Sequence, residues 1–444
     1  MIEKLAKYIA ARKALPPAVV EKTKHHVLDT IAAMVSGSRL LPGRKAISYA
    51  KTRGGTKEAS VVGAGFLTTA ENAALANGML AHADETDDSH APSLTHPGCG
   101  IVPAALAVSE REGRGGEALL RAVALGYDVG CRLTMSLNAY EFREDGHSTH
   151  SFGPMFGAAA ASAALLQLKD SQVRHVLSYT AQQASGISCW MRDEEHIEKA
   201  FDFGGMPARN GVAAAVMVAH GFTGVEDAFS GERSFFVAYG REPKPEMLVD
   251  GLGERYEIMN TNIKRWSVGS PIQAPLDALS LLLKDFKADE VEKIIVRVAH
   301  QGANTTNNRD MPDICMQHLC AVMVLDGTVS FKSSHDEKRM KDPKVLKIRN
   351  LIFLEGDDAL TRVMPSRQGI VEVSLRGGRK LRHHMQAVRG TAENPMTREE
   401  VDAKSYDLLA PVLGRDRARK LCDAIWNLER LKDVRKLRPL LKER

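Results

Sequence analysis

Aromatic residues and paired cysteines are both scarce in this chain of 444 residues. Aromatics make up only 5%, and 60 Lys and Arg barely exceed 55 Asp and Glu. A nucleic-acid binder clusters basic residues beside stacking aromatic rings, so this composition argues against one. The six cysteines form no C-x-x-C pair, which argues against a structural zinc site and suits a reducing cytoplasm.

Long apolar runs without polar interruptions are also missing. One long uncharged stretch, residues 147–168, contains two histidines, Pro154 and several Ser and Gly residues. We therefore predict a buried helix preceded by a loop there, and no membrane span. The amphipathic start of the chain lacks the apolar block of a signal peptide, so we expect a cytoplasmic protein.

What is present is the composition of a folded chain, with 44% apolar and 26% charged residues. The first 240 residues are rich in alanine, and their apolar residues recur at spacings of three and four, which predicts helices. Predicted helices include Ala70–Ala83, Gly116–Asn138 and Gly157–Leu168. Such a density of small residues lets helices approach closely, so we expect a multi-helix body.

The pattern changes after about Asn262. Alternating β-branched residues predict strands at Val291–His300 and Gly369–Leu375, and the turn at Arg376–Arg379 predicts a hairpin. Helices return after Pro395, where Thr397 and Glu400 form a capping-box pattern. We predict a mainly α protein: a helical domain at residues 1–262, an inserted α+β lid domain at 263–394, and C-terminal helices at 395–444 that return to the helical domain.

The densest polar cluster runs from His82 to His90 and holds four carboxylates and two histidines. Such crowding shifts pKa values, which acid–base chemistry requires. An acidic helix end with a capping residue would give the same letters. A metal site is a further alternative, although its candidate ligands fit no standard spacing: His82, Asp87, His90 and His96.

A second cluster, Gly146–His150, precedes an alanine-rich helix whose N-terminus could hold a substrate carboxylate. Lys199 and Lys264 lie among apolar or aromatic residues, where a lysine serves as an acid, a base or an anion anchor. A snorkelling surface lysine is the alternative for each of them. Phosphate-binding and nucleophile-elbow patterns are lacking.

Together these segments resemble the MmgE/PrpD family. The H-A-x-[DE]-x-D-D-[ST]-H stretch of that family corresponds to His82–His90, and its H-P-G corresponds to His96–Gly98. Further similar segments follow in the same order: Gly126–Val129, His147–Gly153, Gly221–Gly224 and Asn394–Thr397. The resemblance covers nearly the whole chain, and the order of the motifs makes it specific.

The resemblance implies a large helical domain with a smaller lid, a homodimer, and catalysis on a small polycarboxylate substrate without a cofactor or metal. It places five residues in catalytic roles: Glu85, His96, His147, Lys199 and Lys264. It implies substrate contacts for seven more: Asp87, Asp88, Ser89, Thr149, Arg265, Gln273 and His318. The chain departs from the family pattern at Glu85, Gln273 and His318, and it has one extra residue before His96 and one between Lys199 and Gly205.

Removing a proton beside a carboxylate creates a dianionic enolate, so a histidine or lysine base must be paired with cations. We therefore expect a hydro-lyase that acts on a small hydroxy di- or tricarboxylate such as a 2-methylcitrate-like compound. Epimerisation (or racemisation) and decarboxylation of a small polycarboxylate are the alternatives, because they use the same intermediate. A catalytically inactive helical binding protein is the alternative of another class.

Overall fold

The computed structural model describes residues 1–443, which divide into two compact units. Residues 1–261 and 401–443 form the first unit, and residues 262–400 form the second. Helices dominate the chain, and the larger of its two sheets belongs to the second unit, which confirms the predicted fold class. Among residues 1–443, no helix combines the length and the apolar character needed to cross a bilayer.

The first unit is built almost entirely from helices. A two-residue antiparallel pair, Ala59–Ser60 (β1) with Leu67–Thr68 (β2), is its only sheet within the described residues. The helices before the second unit are Ile2–Ala10 (α1), Pro17–Gly37 (α2), Leu41–Lys51 (α3), Ala70–Ala81 (α4), Pro97–Glu112 (α5), Gly116–Ser136 (α6), Ala139–Glu144 (α7), Thr149–Leu165 (α8), Asp170–Gln183 (α9), Ile197–Ala200 (α10), Met206–Ala219 (α11) and Phe235–Tyr239 (α12).

Glycine allows α6 and α8 to pack with their backbones almost touching. A Cβ on Gly130 would lie 2.7 Å from the carbonyl oxygen of Gly153, and one on Gly157 would lie 2.5 Å from that of Gly126. Real side chains do not tolerate such separations, so a residue with a Cβ at either position would push the helices apart. The predicted close approach of small-residue helices is confirmed for this pair.

Helix α8 begins earlier than the sequence indicates. The prediction placed its start at Gly157 because Pro154 lacks an N–H and is unfavourable inside a helix. In the structure the helix begins at Thr149 and continues through Pro154. Because Pro154 has no N–H, the helix lacks only the hydrogen bond to the carbonyl of His150, which lies in the first turn. The difference puts His150 on a helix rather than in a loop.

The second unit contains a four-stranded mixed sheet, in the order β4-β3-β5-β6. Its strands are Val291–Val298 (β3), Ile352–Gly356 (β4), Gly369–Leu375 (β5) and Lys380–Met385 (β6). Strand β4 is parallel to β3, whereas β5 is antiparallel to both β3 and β6, so the predicted hairpin is confirmed. Its helices are Gln273–Leu282 (α13), His300–Thr306 (α14), Met316–Asp326 (α15), Phe331–Ser334 (α16), Pro343–Arg349 (α17) and Asp358–Arg362 (α18).

One apolar core joins the sheet of the second unit to α13 and α15. Ile294 and Val371 of the strands are buried in the same cluster as Leu276 and Leu319 of the helices. The alternation along β3 and β5 places these β-branched side chains on one face of the sheet. The sheet therefore has a helix-covered side, as expected for an α+β unit.

The chain leaves the second unit through a capped helix. The backbone N–H of Thr397 donates to Glu400 Oε2 at 2.8 Å, and that of Glu400 donates to Thr397 Oγ1 at 3.3 Å, so the predicted capping box is confirmed. Arg389 also donates to Glu400 at 3.0 Å and to Asn394 at 2.7 Å. These bonds tie Glu400 to the segment before it, and the second unit includes residues up to Glu400. The domain boundary at residue 394 stays a prediction. The last helices are Arg398–Leu413 (α19), Arg415–Trp426 (α20) and Arg438–Leu441 (α21).

A buried ion pair attaches α19 to the rest of the first unit. Lys404 Nζ donates to Asp29 Oδ1 of α2 at 2.6 Å and to the carbonyl of Thr86 at 3.0 Å. We expect Lys404→Met to lower the free energy of unfolding by about 3 kcal/mol, because it leaves a buried carboxylate without its cation. Urea denaturation measures the loss. The double variant Lys404→Met, Asp29→Leu is expected to recover most of it, and a single variant as stable as the wild type would contradict the assignment.

A second buried charge cluster predicts how stability depends on pH. Glu257 lies 3.4 Å from both His90 Nε2 and Arg132 Nη2. Burial works to raise the pKa of Glu257, but His90 and Arg132 outweigh it and lower the pKa to about 2. Because the folded pKa is below the unfolded one, this stabilisation is present above about pH 4.5 and is lost as the pH falls toward 2.

We therefore expect the free energy of unfolding of the wild type to be higher than that of Glu257→Gln. The difference should shrink as the pH falls from about 5 to about 3. Denaturation curves of both proteins across that range give the margin directly. A margin that stays constant would show that the ionised form of Glu257 contributes nothing to the fold.

Candidate active site

The candidate site centres on the loop between α4 and α5. His82 is the C-terminal cap residue of α4, and His96 is the N-terminal cap residue of α5. His90 and Thr95 close the loop through two backbone hydrogen bonds of 2.9 and 3.3 Å. Asp84 accepts bonds from the Thr86 backbone at 2.9 Å and from its hydroxyl at 2.8 Å, which fixes the intervening turn. The acidic stretch is thus an ordered, buried loop.

Asp87 bridges the two histidines at the ends of this loop. Its carboxylate lies 2.9 Å from His82 Nδ1 and 3.1 Å from His96 Nδ1. Burial works to raise the pKa of Asp87, but the two imidazoles outweigh it and hold the pKa well below its usual value. An ionised carboxylate only accepts hydrogen bonds, so both Nδ1 atoms must donate. One carboxylate therefore fixes the orientation of two imidazoles.

Phe203 gathers three imidazoles around a single ring. His82 stacks on the phenyl ring at a centroid distance of 4.2 Å and His150 at 3.8 Å. His96 meets the edges of His82, His150 and Phe203 at 5.2 to 5.3 Å. Trp190 lies edge-on to Phe203 at 4.7 Å. We call His82, His96, His150 and Phe203 the imidazole cluster.

A π-helical turn at Phe201–Gly205 places Phe203 in this cluster. The turn packs directly on α4, because a Cβ on Gly204 would lie only 2.1 Å from the carbonyl oxygen of Gly78. A π-helical turn holds one more residue than an α-helical turn. The extra residue that the sequence shows between Lys199 and Gly205 lies where this wider turn occurs.

Lys199 brings a cation to the imidazole cluster. Its ammonium donates a hydrogen bond to Glu85, and both side chains are largely buried, with 17% and 11% exposed. The ammonium lies 5.3 Å from the Phe203 centroid and 5.5 Å from that of Trp190. The structure therefore brings together Glu85, His96 and Lys199 from the predicted catalytic set.

His150 has the electrostatics of a neutral base. Burial lowers its pKa well below the usual value, and charge repulsion from the neighbouring imidazoles of His96 and His82 lowers it further. The imidazole of His150 is therefore unprotonated near neutral pH and able to accept a proton. Ring stacking on Phe203 holds it in place.

The ring of His147 lies outside the imidazole cluster, and the catalytic role that the resemblance gives it stays a prediction. Its ring stacks on Phe142 at a centroid distance of 4.4 Å and approaches Tyr239 at 5.9 Å. The reason is the early start of α8: His147 lies before the helix, whereas His150 lies in its first turn. The sequence signal for His150 was present in the Gly146–His150 segment, but the start of the helix was needed to choose between the two histidines.

Asp88 and Thr149 support the loop from within the first unit. Asp88 accepts hydrogen bonds from His26 at 2.7 Å, Tyr127 at 2.6 Å and the backbone N–H of Gly98 at 2.9 Å. The Thr149 hydroxyl donates to the carbonyl of Leu94 at 2.5 Å. These bonds tie both residues to the protein itself, and the substrate contacts that the resemblance implies for them stay predictions. Ser89, the third neighbour in that prediction, is partly exposed.

Gly98 has no room for a side chain. A Cβ there would lie 2.7 Å from Thr30 Oγ1, 2.7 Å from the Tyr127 hydroxyl and 2.8 Å from Asp88 Oδ1. The glycine of the H-P-G segment thus allows α5 to start against the bonding partners of Asp88. This contact fixes where His96 lies.

Three of the four metal-ligand candidates from the sequence come together. One ligand atom each of His82, Asp87 and His96 lie within 4.8 Å of one another. His90 lies elsewhere, because its Nδ1 lies 2.8 Å from the Ser93 hydroxyl and its Nε2 faces Glu257. The Nδ1 atoms of His82 and His96 are already bonded to Asp87, so hydrogen bonding accounts for that trio.

The remaining predicted residues belong to the second unit. Arg265 lies over the Trp266 ring at 4.6 Å and 3.5 Å from Asp277 Oδ1. Gln273 bonds through its amide to the backbone of Trp266 and Val268, so it shapes that segment. The other two predicted residues of this unit are buried: Lys264 and His318.

His318 is unusual among these because burial lowers its pKa to about 4. Both of its ring nitrogens are buried without a hydrogen-bond partner among residues 1–443. Its imidazole is therefore neutral near pH 7. The role that the resemblance gives to His318 stays a prediction.

The candidate site is thus a buried group of imidazoles beside a lysine–carboxylate pair, on a helical framework. Comparison with protein families agrees with the order of motifs in the chain. The MmgE/PrpD N-terminal domain matches residues 3–248, and the MmgE/PrpD C-terminal domain matches residues 266–430. The chain belongs to the MmgE/PrpD family.

Individual relatives are similar at low identity. The chain is 26% identical over 291 residues to the cis-aconitate decarboxylase-like protein OryM of Aspergillus oryzae, an alignment that covers 61% of this chain and 59% of that relative. It is 23% identical over 462 residues to a cis-aconitate decarboxylase of Aspergillus terreus, which covers 96% of this chain and 92% of the relative. A second Aspergillus terreus sequence of that name is 23% identical over 468 residues.

Proposed function

We propose that this protein is a lyase that acts on a small di- or tricarboxylate by removing a proton next to a carboxylate group. The observation that carries the proposal is the imidazole cluster, in which His96 and His150 meet at a ring-centroid distance of 5.3 Å. Lys199 supplies positive charge next to it. Membership of the MmgE/PrpD family and its cis-aconitate decarboxylase relatives supports a carboxylate substrate.

The chemistry needs a base and a cation at the same place. Removing a proton beside a carboxylate puts a second negative charge on that group, as a dianionic enolate, and a preorganised cation lowers the barrier most where that charge develops. His150, which is neutral near pH 7, is suited to take the proton. Lys199 then faces the developing anion, and Glu85 holds its ammonium in position.

Dehydration is the first candidate for the second half of the reaction. The carbanion electrons form a carbon–carbon double bond while the β-hydroxyl leaves as water, and an acid must supply the proton that completes that water. His96, which Asp87 orients through Nδ1, is suited to give this proton from Nε2. The substrate would then be a hydroxy-polycarboxylate of the 2-methylcitrate type.

Decarboxylation is the second candidate, and the names of the relatives favour it. In that reaction no proton is removed first: the bond to a carboxyl carbon breaks, carbon dioxide leaves, the electron pair of the bond stays on the adjacent carbon as a carbanion, and a protonated imidazole supplies the proton that replaces the lost carboxyl group. The same imidazoles and the same ammonium would serve. The two candidates differ in substrate and product, so product analysis separates them.

Proton NMR in deuterium oxide tests the proposal. Purified protein is incubated with a panel of hydroxy- and unsaturated di- and tricarboxylates, with His96→Gln as the matched control. New alkene signals from a hydroxy acid support dehydration, and loss of a carboxyl carbon as carbon dioxide supports decarboxylation. Deuterium incorporation without net conversion would replace both with epimerisation. No change with any compound would favour a binding protein and overturn the proposal.

The family resemblance also leads us to propose a cytoplasmic homodimer. Five of the six free cysteines are buried, which fits a reducing compartment. Light scattering coupled to gel filtration is expected to give twice the chain mass of 48.5 kDa. A mass of one chain would contradict the dimer.

A further inference from the structure

A second set of ligand atoms lies on the other side of His82. One nitrogen of His82, one nitrogen of His196 and one carboxylate oxygen of Glu85 lie within 4.8 Å of one another. The two imidazole rings are tilted by 37° with centroids 5.2 Å apart. We call these three residues the His82–Glu85–His196 trio.

Hydrogen bonding leaves two ring nitrogens of this trio unsatisfied. Asp87 occupies Nδ1 of His82, but Nε2 of His82 and Nε2 of His196 are buried with no hydrogen-bond partner among residues 1–443. His82 is fully buried, with 0% of the residue exposed. Buried polar atoms in native proteins nearly always have a partner, so two such nitrogens beside one carboxylate indicate a missing ligand.

The ligand that fits is a cation. Four carboxylates lie in the stretch 84–88, all in buried residues. The carboxylate of Glu85 in this stretch lies next to the two unpartnered ring nitrogens, so a cation there would meet one carboxylate oxygen and two imidazole nitrogens. Two imidazoles and one carboxylate are ligands that zinc and cobalt dications prefer, and Ca²⁺ or Mg²⁺ would require more oxygen atoms.

We propose that His82, Glu85 and His196 bind a divalent transition-metal ion of the zinc and cobalt type. Such an ion replaces the Lys199 ammonium on Glu85, because both use the same carboxylate. Metal binding therefore frees the Lys199 ammonium from the carboxylate that holds it in position for the proposed reaction. For this reason the bound ion inhibits turnover. This inhibitory part rests on the proposed function, whereas the binding part does not.

Titration of EDTA-treated full-length protein with Co²⁺ tests the binding. We expect visible d–d absorption that saturates at one ion per chain, and Zn²⁺ that displaces it in calorimetry. His196→Asn is expected to weaken binding at least about tenfold by removing one ligand. Asparagine suits this position, because His196 has a left-handed φ of 61° and asparagine tolerates that conformation. His147→Gln, whose ring stacks on Phe142, is the matched control and should bind as the wild type does.

Three results would overturn the binding proposal. Wild-type protein that shows no saturable Co²⁺ binding would do so at once. Undiminished binding in His196→Asn would remove His196 from the site. Binding that is lost in His96→Gln but kept in His196→Asn would place the ion on Asp87 and its two imidazoles instead.

Activity measurements test the inhibitory part separately. Zn²⁺ is expected to reduce turnover of the wild type at concentrations where it binds, and His196→Asn should keep its basal rate and resist the inhibition at least about tenfold. Equal inhibition of both proteins would refute this part. If no substrate is turned over at all, the Co²⁺ titration still decides the metal site, so failure of the proposed function remains distinguishable.

Discussion

His150→Gln is expected to lower kcat at least about a hundredfold, the usual minimum contribution of a positioned acid–base group. The physical reason is that glutamine keeps much of the side-chain volume but cannot accept a proton as a base. The imidazole of His150 stacks on Phe203 at a centroid distance of 3.8 Å and lies 5.3 Å from the ring of His96. The other histidine of the Gly146–His150 segment does not occupy this place. Steady-state kinetics on the substrate identified by NMR give the effect.

His147→Gln is the matched control, three residues away in the same segment. Its ring contacts Phe142 and Tyr239, not the imidazole cluster, so we expect kcat to stay close to the wild-type value. Thermal unfolding of both variants shows that each is folded. If the large loss occurred in His147→Gln and not in His150→Gln, the assignment drawn from the sequence would be correct and ours would be wrong.

Asp87→Asn is expected to lower kcat about a hundredfold or more, with a smaller change in KM. Asp87 accepts hydrogen bonds from Nδ1 of both His82 and His96. Because an ionised carboxylate only accepts hydrogen bonds, it keeps a proton on Nδ1 of each ring. An asparagine amide offers one acceptor oxygen and one donor group, so at least one imidazole must change tautomer or turn. Steady-state kinetics separate kcat from KM, because misorientation affects the reacting state more than substrate binding.

Asp88→Asn provides the comparison on the next residue. Asp88 bonds to His26, Tyr127 and Gly98 rather than to the cluster, so its loss mainly affects folding. We expect a lower free energy of unfolding by about 2 kcal/mol, since hydrogen bonds to a charged acceptor weaken, and a smaller fall in kcat than for Asp87→Asn. Denaturant titration should show the larger loss of stability in Asp88→Asn, and kinetics should show the larger loss of kcat in Asp87→Asn. The same ranking in both assays would remove the distinction between orienting and supporting roles.

Local patterns were sufficient for most of the fold. Alanine-rich 3.6-residue periodicity predicted the helical unit, and alternation at Val291–His300 and Gly369–Leu375 predicted two strands, which the structure has at Val291–Val298 and Gly369–Leu375. The capping box at Thr397 and Glu400 is equally local. The start of α8 was not predictable in the same way, because the cost of Pro154 inside a helix is offset by packing of α8 against α6, which local sequence does not contain.

The candidate site shows the same division between what local sequence predicts and what tertiary packing decides. The sequence by itself determined which histidines, carboxylates and lysines are available to the site, since Glu85, His96 and Lys199 were identifiable from their motifs. Only the tertiary structure decided that His150 rather than His147 joins His96, that Phe203 carries the cluster, and that Asp87 orients while Asp88 supports. The reason is geometric: a motif fixes which groups are available, but helix phase and the packing of distant glycines fix which of them face one another.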